Sequence, residues 1–203
     1  PGKNLALAGN FNLVNTDDLF AQINFEPGTF QKQSDLAAMM EVVHHFLAKE
    51  DDKNPNAANI ASVLKQATPM FDGGYTIGGL LGNGSSFVMR DAHGIRPAYY
   101  YVSEDVIVAA SERAAIRTTF NVGENEVQEL MPGTALLVDP NGDFKIEQIL
   151  EPKERRACSF ERIYFSRGSD EKIYRERISL GRSLSETVLK RIDNDLKNTI
   201  FSY

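Results

Sequence analysis

Apolar and polar positions follow two different periods along this chain, and the change comes near residue 74. Leu5-Ala6-Leu7-Ala8 reads as a strand, about Asn4 to Ala8, running into a polar turn at Gly9-Asn10-Phe11-Asn12. Thr16-Asp17-Asp18 offers an N-cap with acidic first-turn residues, so a short helix should follow to about Asn24 and break at Glu26-Pro27-Gly28-Thr29. Ser34-Asp35 then opens a longer helix, whose apolar residues Leu36, Met39, Met40, Val43 and Leu47 recur at helical spacing. Asp51 to Asn56 should be a solvated loop, and Ala57 to Gln66 a third helix with Ile60, Val63 and Leu64 on one side.

From Gly74 onward the pattern becomes β-like. Tyr75–Leu81, Ser86–Arg90, Ala98–Val102 and Val106–Ala110 are short runs separated by turn-forming segments. Ser111–Ile116 reads as a short helix. Val127–Leu130, Gly133–Val138 and Phe144–Ile149 return to strands, the last two joined by the hairpin signal Asp139-Pro140-Asn141-Gly142. Strands clustered in this way predict an α+β fold, with largely antiparallel sheets and helices packed on them. Glu151–Arg156 is a charged, proline-bearing connector that places a domain boundary near 151–157. Beyond it, Phe160–Phe165 reads as a strand and Lys172–Ile192 as an amphipathic helix with Ile173, Leu180, Leu184, Val188 and Ile192 on a buried stripe. Asn198–Tyr203 reads as the first strand of a further α/β unit.

Composition narrows the function classes. The 203 residues are 42% apolar and 25% charged, ordinary for a folded domain. A net charge of -6, with no long Lys/Arg run, argues against a nucleic-acid surface. No stretch of about 18 apolar residues is present, so no membrane span is expected. The single cysteine, Cys158, cannot form an internal disulfide, which makes the cytoplasm the default compartment.

Asparagines beside a strand end suit acyl-transfer chemistry, which needs N–H donors held where a tetrahedral oxyanion forms. The Asn10 side chain and the next backbone N–H, that of Phe11, would serve. The same residues also suit a turn closed by local side-chain bonds, and residue types alone favour that reading. Asp35 could hold a ligand ammonium or simply start a helix with Ser34. Adjacent His44 and His45 face different directions and cannot chelate one metal as an i, i+4 pair would. The turn Arg90–Pro97, with Asp91, His93, Gly94 and Arg96, is dense in polar groups of the kind that lock loops. Cys158 has no Cys or His at ligand spacing and reads as a small buried residue. Phosphate-loop, serine-elbow and His-Glu-x-x-His motifs are absent.

In order, these segments resemble the amidophosphoribosyltransferase family. Asn10-Phe11-Asn12-Leu13-Val14-Asn15 is similar to its Asn-Gly-Asn-Leu-x-Asn, with Phe11 in place of glycine and Gly9 where histidine is frequent. Ser34-Asp35, Gly73-Gly74-Tyr75, Arg90 to Pro97, Ala110-Ser111-Glu112 and Pro132-Gly133 match in turn. The resemblance ends with Cys158, Glu161, Tyr164, Phe165, Arg167 and Leu180-Gly181.

The resemblance implies that residues 1–150 form the later part of a class II glutamine amidotransferase domain of the N-terminal nucleophile hydrolase fold. Residues 151–203 would be a connector and the start of a phosphoribosyltransferase domain. It implies glutamine and phosphoribosyl pyrophosphate as substrates, the latter with Mg2+, in a cytoplasmic homo-oligomer making phosphoribosylamine for purine synthesis. A cysteine at the mature N-terminus would attack the glutamine amide. Asn10 and Phe11 would stabilise the oxyanion, Asp35 beside Ser34 would bind the α-amino group, and Asp91, Gly94 and Arg96 would form a structural loop. Some relatives hold an iron–sulfur cluster through a cysteine at the place of Cys158. With no methionine before Pro1 and no counterpart of the attacking cysteine, the expectation is of an excised piece, inactive by itself. Two alternatives remain: another class II amidotransferase, and a degenerate amidotransferase-like scaffold.

Overall fold

The structure, a computed structural model, describes residues 4–22, 34–53 and 57–202. They build β1 (Leu5–Leu13), α1 (Thr16–Gln22), α2 (Asp35–Lys53), α3 (Ile60–Ala67), β2 (Gly73–Leu81) and β3 (Ser86–Arg90). Then come β4 (Tyr99–Val102), β5 (Ile107–Ala110), α4 (Arg113–Phe120), β6 (Gln128–Glu129), β7 (Thr134–Val138), β8 (Phe144–Gln148) and α5 (Glu171–Arg191). The fold is α+β, as the clustered strands require.

One antiparallel sheet has the order β1-β2-β3-β7-β8, and a smaller one has the order β5-β4-β6. Alternate residues of each strand face opposite sides. Leu7, Leu13, Tyr75, Ile77, Phe87, Met89 and Leu137 face the helices, burying against Met39, Val42, Val43 and Leu47 of α2 and Val63 and Leu64 of α3. Each such aliphatic side chain contributes about 1.5–3 kcal/mol on burial. The other side of the large sheet presents Val88, Leu136 and Val138 to Ala98, Tyr100, Ile107, Ala109 and Leu130 around the small sheet. The large sheet is thus covered by helices on one face and by strands on the other.

Several expectations need correction. Gly9-Asn10-Phe11-Asn12 is not a turn: β1 runs unbroken to Leu13, with Asn10 opposite Thr76 and Phe11 opposite Tyr75, because the ladder with β2 continues past the polar residues. Asp51–Lys53 are the last residues of α2, not a loop, while 54–56 and the break at 26–29 lie outside the described residues. The short helix after Ala110 starts later and runs longer, ending on Asn121 in the left-handed region (φ 52).

The chain divides into two compact units, one up to Cys158 and one from Ser159. In the second, Phe160–Phe165 is helical, not a strand: Glu161–Phe165 form a wide turn closed by Ser166 N–H on the Glu161 carbonyl. The aromatic and β-branched run favours strands only where a neighbouring strand offers a ladder. α5 is capped by Asp170, whose carboxylate accepts from the Lys172 and Ile173 N–H groups. Of its apolar stripe only Ile173 is buried, and Leu180 and Leu184 are about half exposed. Residues 198–202 form no strand; Asp195 instead receives Asn198 through its backbone and side-chain amides.

Candidate functional site

β1 lies at the border of the large sheet, so its backbone groups point alternately toward β2 and outward. Val14 N–H donates to the Asp72 carbonyl and Gly82 N–H to the Asn4 carbonyl. With the constant register between the strands, this assigns even positions to the β2 ladder and odd positions to the outer border. The Phe11 N–H therefore points outward. Asn10, next to it, is exposed and carries its side chain on the face away from the helices. Phe11 has no positive φ, and its ring packs half-buried against the core. At Gly9 a Cβ would come within 2.3 Å of the Thr76 carbonyl oxygen, so this position needs glycine. Bulk along this side of β1 is thus carried at 11 and excluded at 9.

Asp35 meets the same outer border. Its Oδ2 accepts from the Leu13 N–H (2.9 Å) and its Oδ1 from the Thr16 hydroxyl (2.8 Å). Leu13 is two positions beyond Phe11, which sets the carboxylate roughly 7 Å along the strand from the Phe11 N–H. Ser34 acts on the helix instead: its Oγ accepts from the Ala37 N–H and caps α2. Asn15 fastens the end of β1, donating to the Met70 carbonyl and accepting from the Asp72 N–H. The structure therefore brings Asn10, Phe11 and Asp35 to one border, with Ser34 holding the helix that delivers Asp35.

The Arg90–Pro97 loop packs on the face that carries Asn10 and Asn12. Ile95 covers Gly74, which lies opposite Asn12, and the Thr76 hydroxyl, opposite Asn10, donates to the Arg96 carbonyl. Asp91 is buried and accepts from the N–H groups of Tyr75, His93, Ile95 and Arg96. Gly94 has φ +60, and a Cβ there would meet the Pro132 ring at 2.9 Å. Arg90, 2% exposed, donates to the carbonyls of Arg96, Gly94 and Leu130 and to Glu129, which also receives Arg155. Burial alone would push the Glu129 carboxyl up, but the bonds and charges of Arg90 and Arg155 outweigh it and hold the group below the usual carboxylate range. Burial, with the nearby Asp91 charge, raises the Tyr75 hydroxyl.

The connector is laced to this loop. Lys153, Arg156 and Cys158 donate their N–H groups to the carbonyls of Ala92, His93 and Ile95 in turn. Cys158 is half-buried, not fully buried as expected. Among the described residues no group of three His, Cys, Asp or Glu side chains converges to hold a metal, and the chain supplies one thiol only. His44 and His45 are exposed on α2.

The family described as a glutamine amidotransferase domain matches residues 1–118. This chain belongs to that family. Among its curated relatives are amidophosphoribosyltransferases from Bacillus subtilis (strain 168), 31% identical over 189 residues, and Methanothermobacter thermautotrophicus, 28% identical over 188. Each alignment covers 90% of this chain but only 36% and 37% of those proteins, so the amidotransferase chain spans little more than a third of their length. The solved B. subtilis glutamine phosphoribosylpyrophosphate amidotransferase, complexed with ADP and GMP, superposes with a TM-score of 0.63. It is 28% identical, covering 80% of this chain and 33% of that one.

Sequence reasoning misses three residues that hold this candidate site together. Arg90 stands in the loop motif with nothing to single it out from its neighbours, and Thr16 reads only as a helix cap. Asn15 closes the Asn-rich motif, which is the available signal for its role.

Proposed function

We propose that this domain splits the side-chain amide of glutamine within a parent amidophosphoribosyltransferase that passes the ammonia to phosphoribosyl pyrophosphate. The observation that carries the reading is the outward Phe11 N–H beside the exposed Asn10 amide, on a strand whose register is pinned at both ends. Two such donors suit the negative charge that develops on a carbonyl under attack, and removing one donor of this kind typically lowers kcat about 10²–10³-fold. Asp35 lies farther along the same border. A glutamine laid along β1 has its amide carbon and α-nitrogen separated by two methylenes and the α-carbon, a span that suits the Phe11-to-Asp35 spacing. Both Asp35 oxygens already accept one hydrogen bond, so an ammonium would use their remaining lone pairs.

The attacking thiolate would come from outside these residues, since Cys158 belongs to the connector. Phosphoribosyl pyrophosphate would enter with Mg2+ at residues of the parent beyond this domain, in a cytoplasmic homo-oligomer. No helix among the described residues is long and apolar enough to cross a membrane, which fits that setting.

Asn10→Ala in the parent enzyme tests the reading. Glutamine-dependent synthesis should fall at least about a hundredfold in kcat, while synthesis from added ammonia is retained. Equal loss of both, or of neither, would remove Asn10 from amide cleavage.

A further inference from the structure

We propose that Asn141 is a site of spontaneous covalent modification, losing its side-chain amide as ammonia to attack by the Gly142 nitrogen, while the fold protects the other Asn-Gly pair, Asn83-Gly84. Only these two asparagines precede glycine. Both sit in the same kind of hairpin turn. Between β2 and β3, Gly84 N–H donates to the Leu81 carbonyl (3.0 Å) and Leu81 N–H to the Ser85 carbonyl (2.8 Å). Between β7 and β8, Gly142 N–H donates to the Asp139 carbonyl (3.1 Å) and Asp139 N–H to the Asp143 carbonyl (2.9 Å). Each asparagine is thus the third residue of its turn and each glycine the fourth, at φ +94 and +90. The glycine N–H must come free in either turn, so it does not separate the two sites.

What separates them is the acceptor of the N–H that follows the glycine. In the first turn the half-buried Asn83 accepts it, Oδ1 receiving Ser85 N–H at 3.0 Å, and this holds the side chain in one rotamer. In the second turn Asp139 accepts the equivalent Asp143 N–H (2.9 Å) and the Asn141 N–H as well (2.8 Å). Leu81 stands at the place of Asp139 in the first turn and has no acceptor to offer. Asp139 therefore relieves Asn141 of the bond that ties Asn83. The exposed Asn141 side chain makes no hydrogen bond among the described residues and is free to swing its Cγ toward the next nitrogen. A Cβ at Gly142 would meet nothing within 4 Å, whereas Gly84 is backed by Pro140 at 3.7 Å.

In the reaction the Gly142 nitrogen gives its proton to a solvent base and bonds to Asn141 Cγ. The Cγ–Nδ2 bond breaks, and ammonia takes up a proton and leaves a cyclic imide. Water opens that ring at either carbonyl, giving aspartate or isoaspartate, with no oxidant and no cofactor. Aspartate adds a further carboxylate beside Asp139 and Asp143. Isoaspartate routes the main chain through a former side-chain methylene, so the Asp139–Asp143 closure is lost and the β7–β8 hairpin frays from its tip.

Incubating the 203-residue chain at mildly alkaline pH and mapping its peptides by mass spectrometry tests the proposal, since each event exchanges an amide NH2 for OH. Asn141 should react about fivefold faster than Asn83, the advantage of one hydrogen bond released. In concentrated urea the two rates should converge, because the contrast lies in the fold and not in the dipeptide. Asp139→Leu copies the first turn, returns the Asp143 N–H to Asn141 and should slow that site toward the rate of Asn83. Comparable rates in the folded chain, Asn83 ahead of Asn141, a lead that persists in urea, or Asp139→Leu without effect would each overturn the proposal.

Discussion

Replacing Arg90 with methionine keeps an apolar stem of similar length in the core but removes every donor from a site that is 2% exposed. The Leu130 and Gly94 carbonyls, bonded at 2.6 and 3.0 Å, lose the only donors the structure gives them among the described residues. The Arg96 carbonyl keeps the Thr76 hydroxyl, and Glu129 keeps Arg155. Two orphaned buried acceptors cost about 1–3 kcal/mol each. Relief from holding a guanidinium out of water offsets part of this, leaving a net loss of roughly 3–4 kcal/mol. For a unit of this size that is roughly 6–16 °C in Tm. Urea and thermal unfolding, followed by circular dichroism, should show it. Arg155→Met, at a side chain 48% exposed, should cost less than about 1 kcal/mol. If Arg90→Met stayed within about 1 kcal/mol of the parent chain, or Arg155→Met matched it, the buried fork would not be what holds the loop.

Acid sensitivity should follow Glu129. Its folded pKa is held below the ordinary 4.5, so its stabilisation is complete above that value and is lost as pH falls through the folded pKa; Arg90→Met should flatten that arm of a stability–pH titration. Asp91→Asn turns an amide NH2 toward a ring of N–H donors and should cost about 2–4 kcal/mol, read by urea unfolding. Gly94→Ala forces a side chain into the left-handed region and against Pro132, for about 1–3 kcal/mol, also by denaturation. In the parent enzyme, Asp35→Ala should raise the glutamine KM strongly and leave ammonia-dependent synthesis unchanged; an unaltered KM would leave Asp35 with its structural bonds alone.

Ser86–Arg90 has the bounds its pattern suggests, whereas β7 is buried on both faces and β8 is exposed along most of its length, so burial does not follow a simple alternation there. Asn10 shows where such reading stops. Two asparagines and a glycine signal a turn, yet at a sheet border the exposed side chains carry no burial penalty and the β2 ladder decides. The stripe on α5 shows a second limit: periodicity says that a face is apolar, not that anything covers it. For Asp35, residue type indicates a helix start or an ammonium ligand. Its bonds to Leu13 and Thr16, 22 and 19 residues away in sequence, exist only once α2 has docked on β1. Arg90 is hidden for the same reason, since its acceptors come from two separate segments, 94–96 and 129–130.

Charged, proline-containing stretches between units are where protease trimming is usually aimed, and Lys153, Arg155 and Arg156 are natural targets for trypsin. Here, though, the backbone around those targets is laced to 92–95. Cleavage would have to wait for that seam to open, and a cut made there would slacken the loop that backs Asn10. Shortening this chain from its far end should therefore stop after Cys158 and not before Lys153.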